Sequence, residues 1–338
     1  MFFVSEAIAA RVVGILDAIE VVEDVFRQLF RGEARAYPAV MAKGPSMAEL
    51  FGVKCGALDN GAIYGAKLGS YWPGNRYSGL PAHASSTLLL DAETGFPKAL
   101  IAATYLTSLR TAAANGAAIR HLAREDSHSV GLVGAGHQAW FELQAAIAVR
   151  PVDCVRIWNR NMPEAERLAE RVRHELGIQD AAASDLESTV KAADIVITVT
   201  AARQPLVSRE WVQPGTHISA MGSDAPGKQE LDASLVASAR LFTDLLEQSV
   251  SLGEFEAAIK EGLIRQEDIV TLGAVIDGSA QGRAGRDDIT IFDSSGIGLQ
   301  DLAIGALALK RALELKLVSP IGFLEQVPGS HQVQGALK

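Results

Sequence analysis

Residues 129–139 read SVGLVGAGHQA, and the fold turns on this stretch. Ser129–Val133 is a short apolar run suited to a buried strand. Gly134, Ala135 and Gly136 follow at once, and His137, Gln138 and Ala139 open a segment with helical spacing. A strand that turns on a glycine pair directly into a helix collects unpaired backbone N–H groups at one point, together with the positive end of the helix. Gly134 permits the tight turn, Gly136 lets the backbone approach a pyrophosphate, and Ala139 allows close helix–strand contact. The stretch reads as the phosphate turn of a dinucleotide site.

The flanking sequence supports that reading. Downstream, apolar runs at Cys154–Trp158, 194–200, 217–221, 241–244 and 289–292 are predicted strands, and the first of these precedes a helical segment at 163–175. Such alternation implies a parallel sheet with helices on both faces. Upstream, 17–31 has the spacing of an amphipathic helix, and 36–105 alternates short apolar stretches with Gly, Pro and Asn turns. Within it, LLLDAETGFPKALI (88–101) reads as a hairpin turning at 93–95. Residues 105–124 are Ala-rich and helical, and 298–316 is a long helix whose apolar face returns to the first domain. The expected organisation is a discontinuous α+β domain, 1–118 plus 302–338, with a Rossmann-type doubly wound parallel sheet, 119–301, inserted in it.

The bulk numbers fit a globular α/β protein. The 338 residues are 48% hydrophobic and 21% charged, enough for two domains. The net charge of −9 argues against nucleic acid or an anionic membrane as partner, since both need a basic surface. Neither a secretory leader nor a run of about 20 apolar residues is expected. Cys55 and Cys154 show no metal spacing, which suits two free thiols in a reducing cytoplasm and no metal site.

The second predicted strand ends at Asn159 and Arg160. A site that prefers NAD usually places Asp or Glu there, to accept from the ribose 2′-OH. An amide does not repel a 2′-phosphate and Arg160 can pair with one, so NADPH is favoured over NADH; the alternative for Arg160 is a solvated helix-start charge.

Four ordered segments now carry a resemblance. They are YLTSLRTAAA (105–114), GAGHQA (134–139), GSDAPGKQELD (222–232) and FDSSGIGLQD (292–301). Together they resemble the ornithine cyclodeaminase/μ-crystallin family over nearly the whole chain. The resemblance implies a homodimer, a substrate and dimerisation domain beside the Rossmann domain, and chemistry at an imine or amine carbon next to a carboxylate. It implies that Lys67 is the active-site lysine, Arg110 the carboxylate-binding arginine and Asp224 the acid/base carboxylate. A guanidinium suits a carboxylate held by two hydrogen bonds, and a carboxylate at a strand end suits proton transfer. Without the resemblance, Lys67 would read as a snorkelling strand lysine, Arg110 as a helix surface charge and Asp224 as a turn aspartate before Pro226. The coenzyme set is expected to include Gly134, Ala135, Gly136, His137, Gln138, Asn159, Arg160, Thr111, Thr200, Met221 and Ser294.

Two departures from the family pattern bear on substrate. Thirteen residues before its lysine, ornithine cyclodeaminase carries a glutamate suited to a basic side chain; here that position is Lys54. A cation there repels a distal ammonium and attracts a distal carboxylate. The family's arginine after the proline of the early strand is also missing, and Lys43, four residues beyond Ala39, either replaces its charge or is simply exposed. Within the family the chain resembles the members that reduce iminosuccinate to L-aspartate, the likeness lying in KLGSYWPGN (67–75) and YLTSLRTAAA (105–114), and the YWPGN turn either borders the pocket or merely joins strands. His83 is either a substrate contact or structural. The expected activity is NAD(P)H-dependent reduction of a small imino acid, iminosuccinate first. Cyclodeamination, cyclic ketimine reduction and coenzyme binding without turnover are the alternatives.

Overall fold

The computed structural model describes residues 1–46 and 48–322, so the 323–338 part of the expected first domain lies outside the described residues. One sheet is built from β1 (Phe2–Val4), β2 (Ala34–Ala36), β3 (Val40–Lys43), β4 (Leu50–Leu58), β5 (Ile63–Tyr71), β6 (His83–Leu90) and β7 (Pro97–Ala102). Its order is β1-β7-β6-β5-β4-β2, with β3 on β4. All pairs are antiparallel except β1 with β7. The hairpin expected at 88–101 is the β6–β7 pair, with Gly95 at φ +71° in its turn.

Helices α1 (Glu6–Val12), α2 (Ile15–Phe30) and α3 (Thr104–Leu122) follow from clear local signals. Ser5 caps α1, and α2 buries Ala18, Ile19, Val22, Val25 and Phe26 along one stripe. Helix α3 is central, and its Ala and Gly residues let neighbours come close. A Cβ at Gly116 would lie 2.6 Å from Ile19 of α2 and 3.3 Å from Ala145 beyond it. The Arg150 guanidinium takes up the carbonyls of Ile119, Arg120 and Ala123 where α3 ends.

The chain then enters the nucleotide-type domain through β8 (Ser129–Val133) and α4 (His137–Val149), and continues with β9 (Cys154–Trp158), β10 (Asp180–Ala183), β11 (Ile195–Thr198), β12 (Arg203–Val207), β13 (His217–Ala220), β14 (Gln229–Leu231), β15 (Arg240–Thr243), β16 (Ile269–Thr271) and β17 (Thr290–Asp293). Eight of these form an all-parallel sheet, β10-β9-β8-β11-β13-β17-β15-β16, while β12 and β14 pair separately. This is the doubly wound sheet expected from the sequence. Its strand order reverses between β8 and β11, where ligands bind in such sheets. The helix Gly298–Glu314 then returns to the first sheet, packing on β4, β5 and β6 and on α2. Both expected domain junctions fall inside helices: α3 runs past 118, and Gly298–Glu314 spans 301 and 302. These two helices tie the domains together and carry side chains into the space between them.

Candidate active site

The register of the first sheet sets the site. Lys54 on β4 lies directly opposite Lys67 on β5, and Lys67 directly opposite Thr87 on β6. Directly paired residues point to the same face, so both ammonium groups point toward the interdomain side. Lys67 is buried, and its Nζ reaches Asp301 Oδ1 at 2.9 Å. Arg110, buried on α3, donates from Nε to the same oxygen at 3.3 Å and from Nη1 to Gln300 Oε1 at 3.2 Å. Thr107, one turn earlier on α3, donates to Asp301 Oδ1 at 3.2 Å. Lys54 Nζ donates to the carbonyl of Gly296 at 2.7 Å.

The 294–296 loop is itself fixed. Ser294 Oγ and the Gly296 N–H donate to Asp244 Oδ2 at 2.9 and 2.8 Å. Gly296 sits at φ +76°, and a Cβ there would stand 2.5 Å from Arg110 Nη1. One glycine therefore bonds Lys54 through its carbonyl and leaves room for the guanidinium at its Cα.

Burial lowers the Lys67 ammonium to about 8; the Asp301 carboxylate opposes the shift and Arg110 adds to it. Lys54 is lowered chiefly by burial, then by Arg110. His83 faces the same side as Lys67: a Cβ at Gly69 would lie 3.6 Å from Lys67 Cε and 3.8 Å from His83 Nε2. Burial, then Lys67 and Arg110, push its imidazole down to about 4, so it is neutral at pH 7. Asp301 stays ionised in spite of full burial, because Arg110 and Lys67 hold its carboxyl below the usual range.

Asp224 stands apart. It lies on the loop after β13, largely exposed, with Oδ1 2.5 Å from Lys228 Nζ. Its field favours the charged form of Lys54, but it bonds neither Lys67 nor Arg110. Lys43 is exposed near the end of β3, opposite Leu50. Extending that register places Ala39 opposite Lys54, which leaves Lys43 roughly 13 Å farther along the strand. The structure therefore does not bring Lys43 into the cluster. The YWPGN turn is a short helical turn, Pro73–Ser78, leading back to His83.

The residues expected to hold the coenzyme lie after the carboxyl ends of β8, β9, β11, β13 and β17, with Thr111 on α3. Gly134 has φ +116°, and a Cβ would stand 2.7 Å from the Val199 carbonyl after β11. Gly136 begins α4 with no side-chain cap, and a Cβ there would meet nothing within 4 Å. An uncapped helix start opening on free space fits a pyrophosphate. His137 Nε2 is 3.2 Å from Ser108 Oγ, and Gln138 Nε2 donates to the Ser108 carbonyl and to Glu142. Thr111 bonds within α3, to the Thr107 carbonyl. Thr200 donates its N–H to Glu230, and Met221 is buried beside it after β13. Asn159 donates to Asn161 O and to Glu164 Oε2, and Arg160 is exposed.

Sequence reading left three carboxylates without a role. Asp301 was visible only as the last letter of FDSSGIGLQD, and Asp244 ends an apolar run as many turn residues do. Glu230 accepts from Thr198 Oγ1 and from the N–H groups of Thr200 and Gly222, joining the loops after β11 and β13. A buried acid among apolar neighbours was the available signal, but burial is not legible from one sequence. Among the described residues no group of three His, Cys, Asp or Glu side chains could hold a metal ion, and no helix is long and apolar enough to cross a membrane.

Known proteins share this fold. The iminosuccinate reductase of Paracoccus denitrificans is 41% identical over 295 residues, 87% of this chain and 91% of that one. Its crystal structure in complex with NAD+ superposes with a TM-score of 0.89, at 38% identity over 94% of this chain and 98% of that one. An archaeal alanine dehydrogenase dimer with bound NAD matches at TM-score 0.90 and 35% identity, covering 96% and 99%. The Thermococcus litoralis Δ1-pyrroline-2-carboxylate reductase in complex with NADH and L-proline matches at 0.90 and 30%, covering 95% and 100%. The profile of the ornithine cyclodeaminase/mu-crystallin family matches residues 3–315, and the chain belongs to that family.

Proposed function

We propose that the protein is an NAD(P)H-dependent imino acid reductase whose substrate is iminosuccinate, giving L-aspartate. One observation carries the substrate class. Lys54, Lys67 and Arg110 lie together on the interdomain side, where Asp301 pairs with Lys67 and Arg110 and the Gly296 carbonyl accepts from Lys54. Three cations outnumber the one carboxylate that pairs with them, which suits a substrate carrying two acid groups. Relatives that reduce iminosuccinate or cyclic imino acids, in complexes with NAD+ or NADH, support both the reaction and the coenzyme.

The residues divide the work. Arg110 binds the carboxylate next to the imine carbon, and Lys54 binds the distal one. Lys67 is poised near neutrality, charged when substrate arrives and able to hold or pass a proton at the imine nitrogen. Asp224, whose field reaches Lys54 from the loop after β13, is the second proton-handling group. Neutral His83 borders Lys67 and limits water around it. Gly134, Ala135, Gly136, His137 and Gln138 form the pyrophosphate cradle, Asn159 and Arg160 the ribose end, and Thr111, Thr200, Met221 and Ser294 the walls near the ring. The bound nicotinamide supplies the hydride.

The protein acts as a homodimer. The outer face and edge of the first sheet expose Val40, Met41, Phe51 and Leu68, an apolar surface that a second copy would cover, and one archaeal relative is a dimer. Two free cysteines suit a cytoplasmic location.

The test is NADH and NADPH oxidation with oxaloacetate plus ammonia, set against pyruvate plus ammonia or methylamine and against a cyclic ketimine. Turnover with the dicarboxylate at least about tenfold above the others is expected. Good turnover with the others and none with oxaloacetate overturns the substrate assignment, and proline formation from ornithine without net NADH change replaces it with cyclodeamination.

A further inference from the structure

We infer that Asp301 is a positioning residue, which aims Arg110 and Lys67 at the substrate by holding both through a single carboxylate oxygen. The inference rests on the imino acid reading above and adds a residue to it.

Asp301 lies in the first turn of the helix Gly298–Glu314 and is 2% exposed. Its Oδ1 meets Lys67 Nζ at 2.9 Å, Thr107 Oγ1 at 3.2 Å and Arg110 Nε at 3.3 Å. Donors from β5 and α3 thus converge on one atom supplied by a third element. Oδ2 is buried and makes no hydrogen bond. A carboxylate kept merely to be solvated would use both oxygens; this one spends its contacts on orientation.

The consequence for Arg110 is directional. Nε is taken by Asp301 and Nη1 by Gln300, the preceding residue of the same helix. Among the described residues no protein acceptor bonds Nη2. The guanidinium plane is therefore set by two adjacent residues, and the room for it is left by Gly296. The arginine reaches its substrate pre-ordered, so little side-chain entropy is lost on binding. Thr107 closes the arrangement from behind: it is itself 2.8 Å from Ser85 Oγ on β6, so the acid is braced against the sheet as well as the helix.

Charge and orientation predict opposite outcomes, which makes the idea testable. At the acid end of the pH range, where Lys67 keeps its proton, removing the negative charge raises the positive field of the pocket, so a purely electrostatic role predicts tighter binding of an anion there. Loss of orientation predicts weaker binding. The experiment measures binding of pyruvate and of oxaloacetate to the NADH-loaded enzyme by titration calorimetry, from pH 6 to 9.5, for wild type, Asp301→Asn and Thr107→Val. Thr107→Val keeps the charge and removes only the brace, and serves if the buried amide does not fold. Expected is weakening of both acids by about tenfold or more in Asp301→Asn, the size of one lost charge-assisted hydrogen bond, and a smaller weakening in Thr107→Val. The pH above which binding fades should also fall in Asp301→Asn, because Lys67 loses the anion that keeps it protonated. Unchanged or tighter binding of pyruvate in both variants, with an unmoved pH limit, overturns the inference. Wild type that binds pyruvate as well as oxaloacetate would instead sink the dicarboxylate reading, and the variants would still report on Asp301 through pyruvate.

Discussion

Lys54 and Lys67 are direct cross-strand partners in the β4–β5 pair, two ammonium groups set side by side on the face that meets the second domain. Like charges opposite one another in a sheet cost roughly 0.2–1 kcal/mol. The protein offsets that cost with the Asp301 carboxylate on one lysine and the Gly296 carbonyl on the other. On the proposed function the pair sets specificity, and its removal should be felt in substrate choice before stability.

Lys54→Met should keep the aliphatic stem and remove the charge. The kcat/KM with oxaloacetate and ammonia is expected to fall on the order of 100-fold, the scale of a lost buried ion pair, while that with pyruvate and ammonia changes little. Steady-state kinetics with both acids checks it. An unchanged ratio between the two acids would remove Lys54 from substrate recognition.

Lys67 carries the pH dependence. Its ammonium is lowered to about 8, so it is charged at pH 7 and gives up its proton as the pH rises through that value. Since kcat/KM reports the free enzyme, it should decline above about pH 8, with kcat less affected because a bound dianion favours the charged lysine. In Lys67→Arg, which stays protonated, this alkaline limb should vanish even if the rate is low. A limb that persists assigns the titration to another group.

The glycine pair separates folding from coenzyme binding. Gly134→Ala places a Cβ against the Val199 carbonyl at φ +116°, and should cost roughly 1–3 kcal/mol of stability. Gly136→Ala meets no neighbour within 4 Å, so its melting temperature should match wild type while its affinity for NADH drops about tenfold or more. Thermal melts with and without coenzyme distinguish the two. Wild-type affinity in Gly136→Ala would displace the pyrophosphate from this helix start.

Asp293, at the end of β17, is fully buried, which pushes its carboxyl up to about 8. In the unfolded chain it would ionise near 3.9. Between those values the folded state holds a proton that the unfolded state has released, so stability falls as pH rises from about 4 to 8, by up to ~1.4 kcal/mol per pH unit. Asp293→Asn removes that slope. Its stability relative to wild type should grow from pH 5 to 8 and level off above, read by chemical denaturation at each pH. A difference that stays flat across this range would show that Asp293 is ionised when folded.

Local order explains what could be read without a structure. SVGLVGAGHQA carries strand, turn and helix start within eleven residues, so backbone rules alone recover β8, the turn and α4. The β6–β7 hairpin is equally local, with its turn residues between two apolar runs. Lys54 was singled out as a lysine where a family relative carries glutamate, and its spacing of thirteen from Lys67 is a hairpin distance; that the two face each other across a register is a matter of sheet pairing. Asp301, Asp244 and Glu230 have no local signature. Their importance comes from burial and from partners on other elements, as with Asp301 and Arg110, separated by nearly two hundred residues. NADPH was favoured from Asn159 and Arg160, yet in the folded chain Asn159 is already bonded to the Glu164 carboxylate, a neighbour supplied by the next helix.

The sequence by itself determined the doubly wound sheet, the strand–glycine turn–helix unit and the family, because these rest on patterns of a few residues that act through the adjacent backbone. Tertiary structure alone decided that Lys67 and Arg110 converge on one carboxylate with Lys54 beside them, that Lys43 stays outside the cluster, and that a single glycine serves both Lys54 and Arg110. Charges interact through space, and which of them share a space is set only when the two halves of the chain close around the inserted domain.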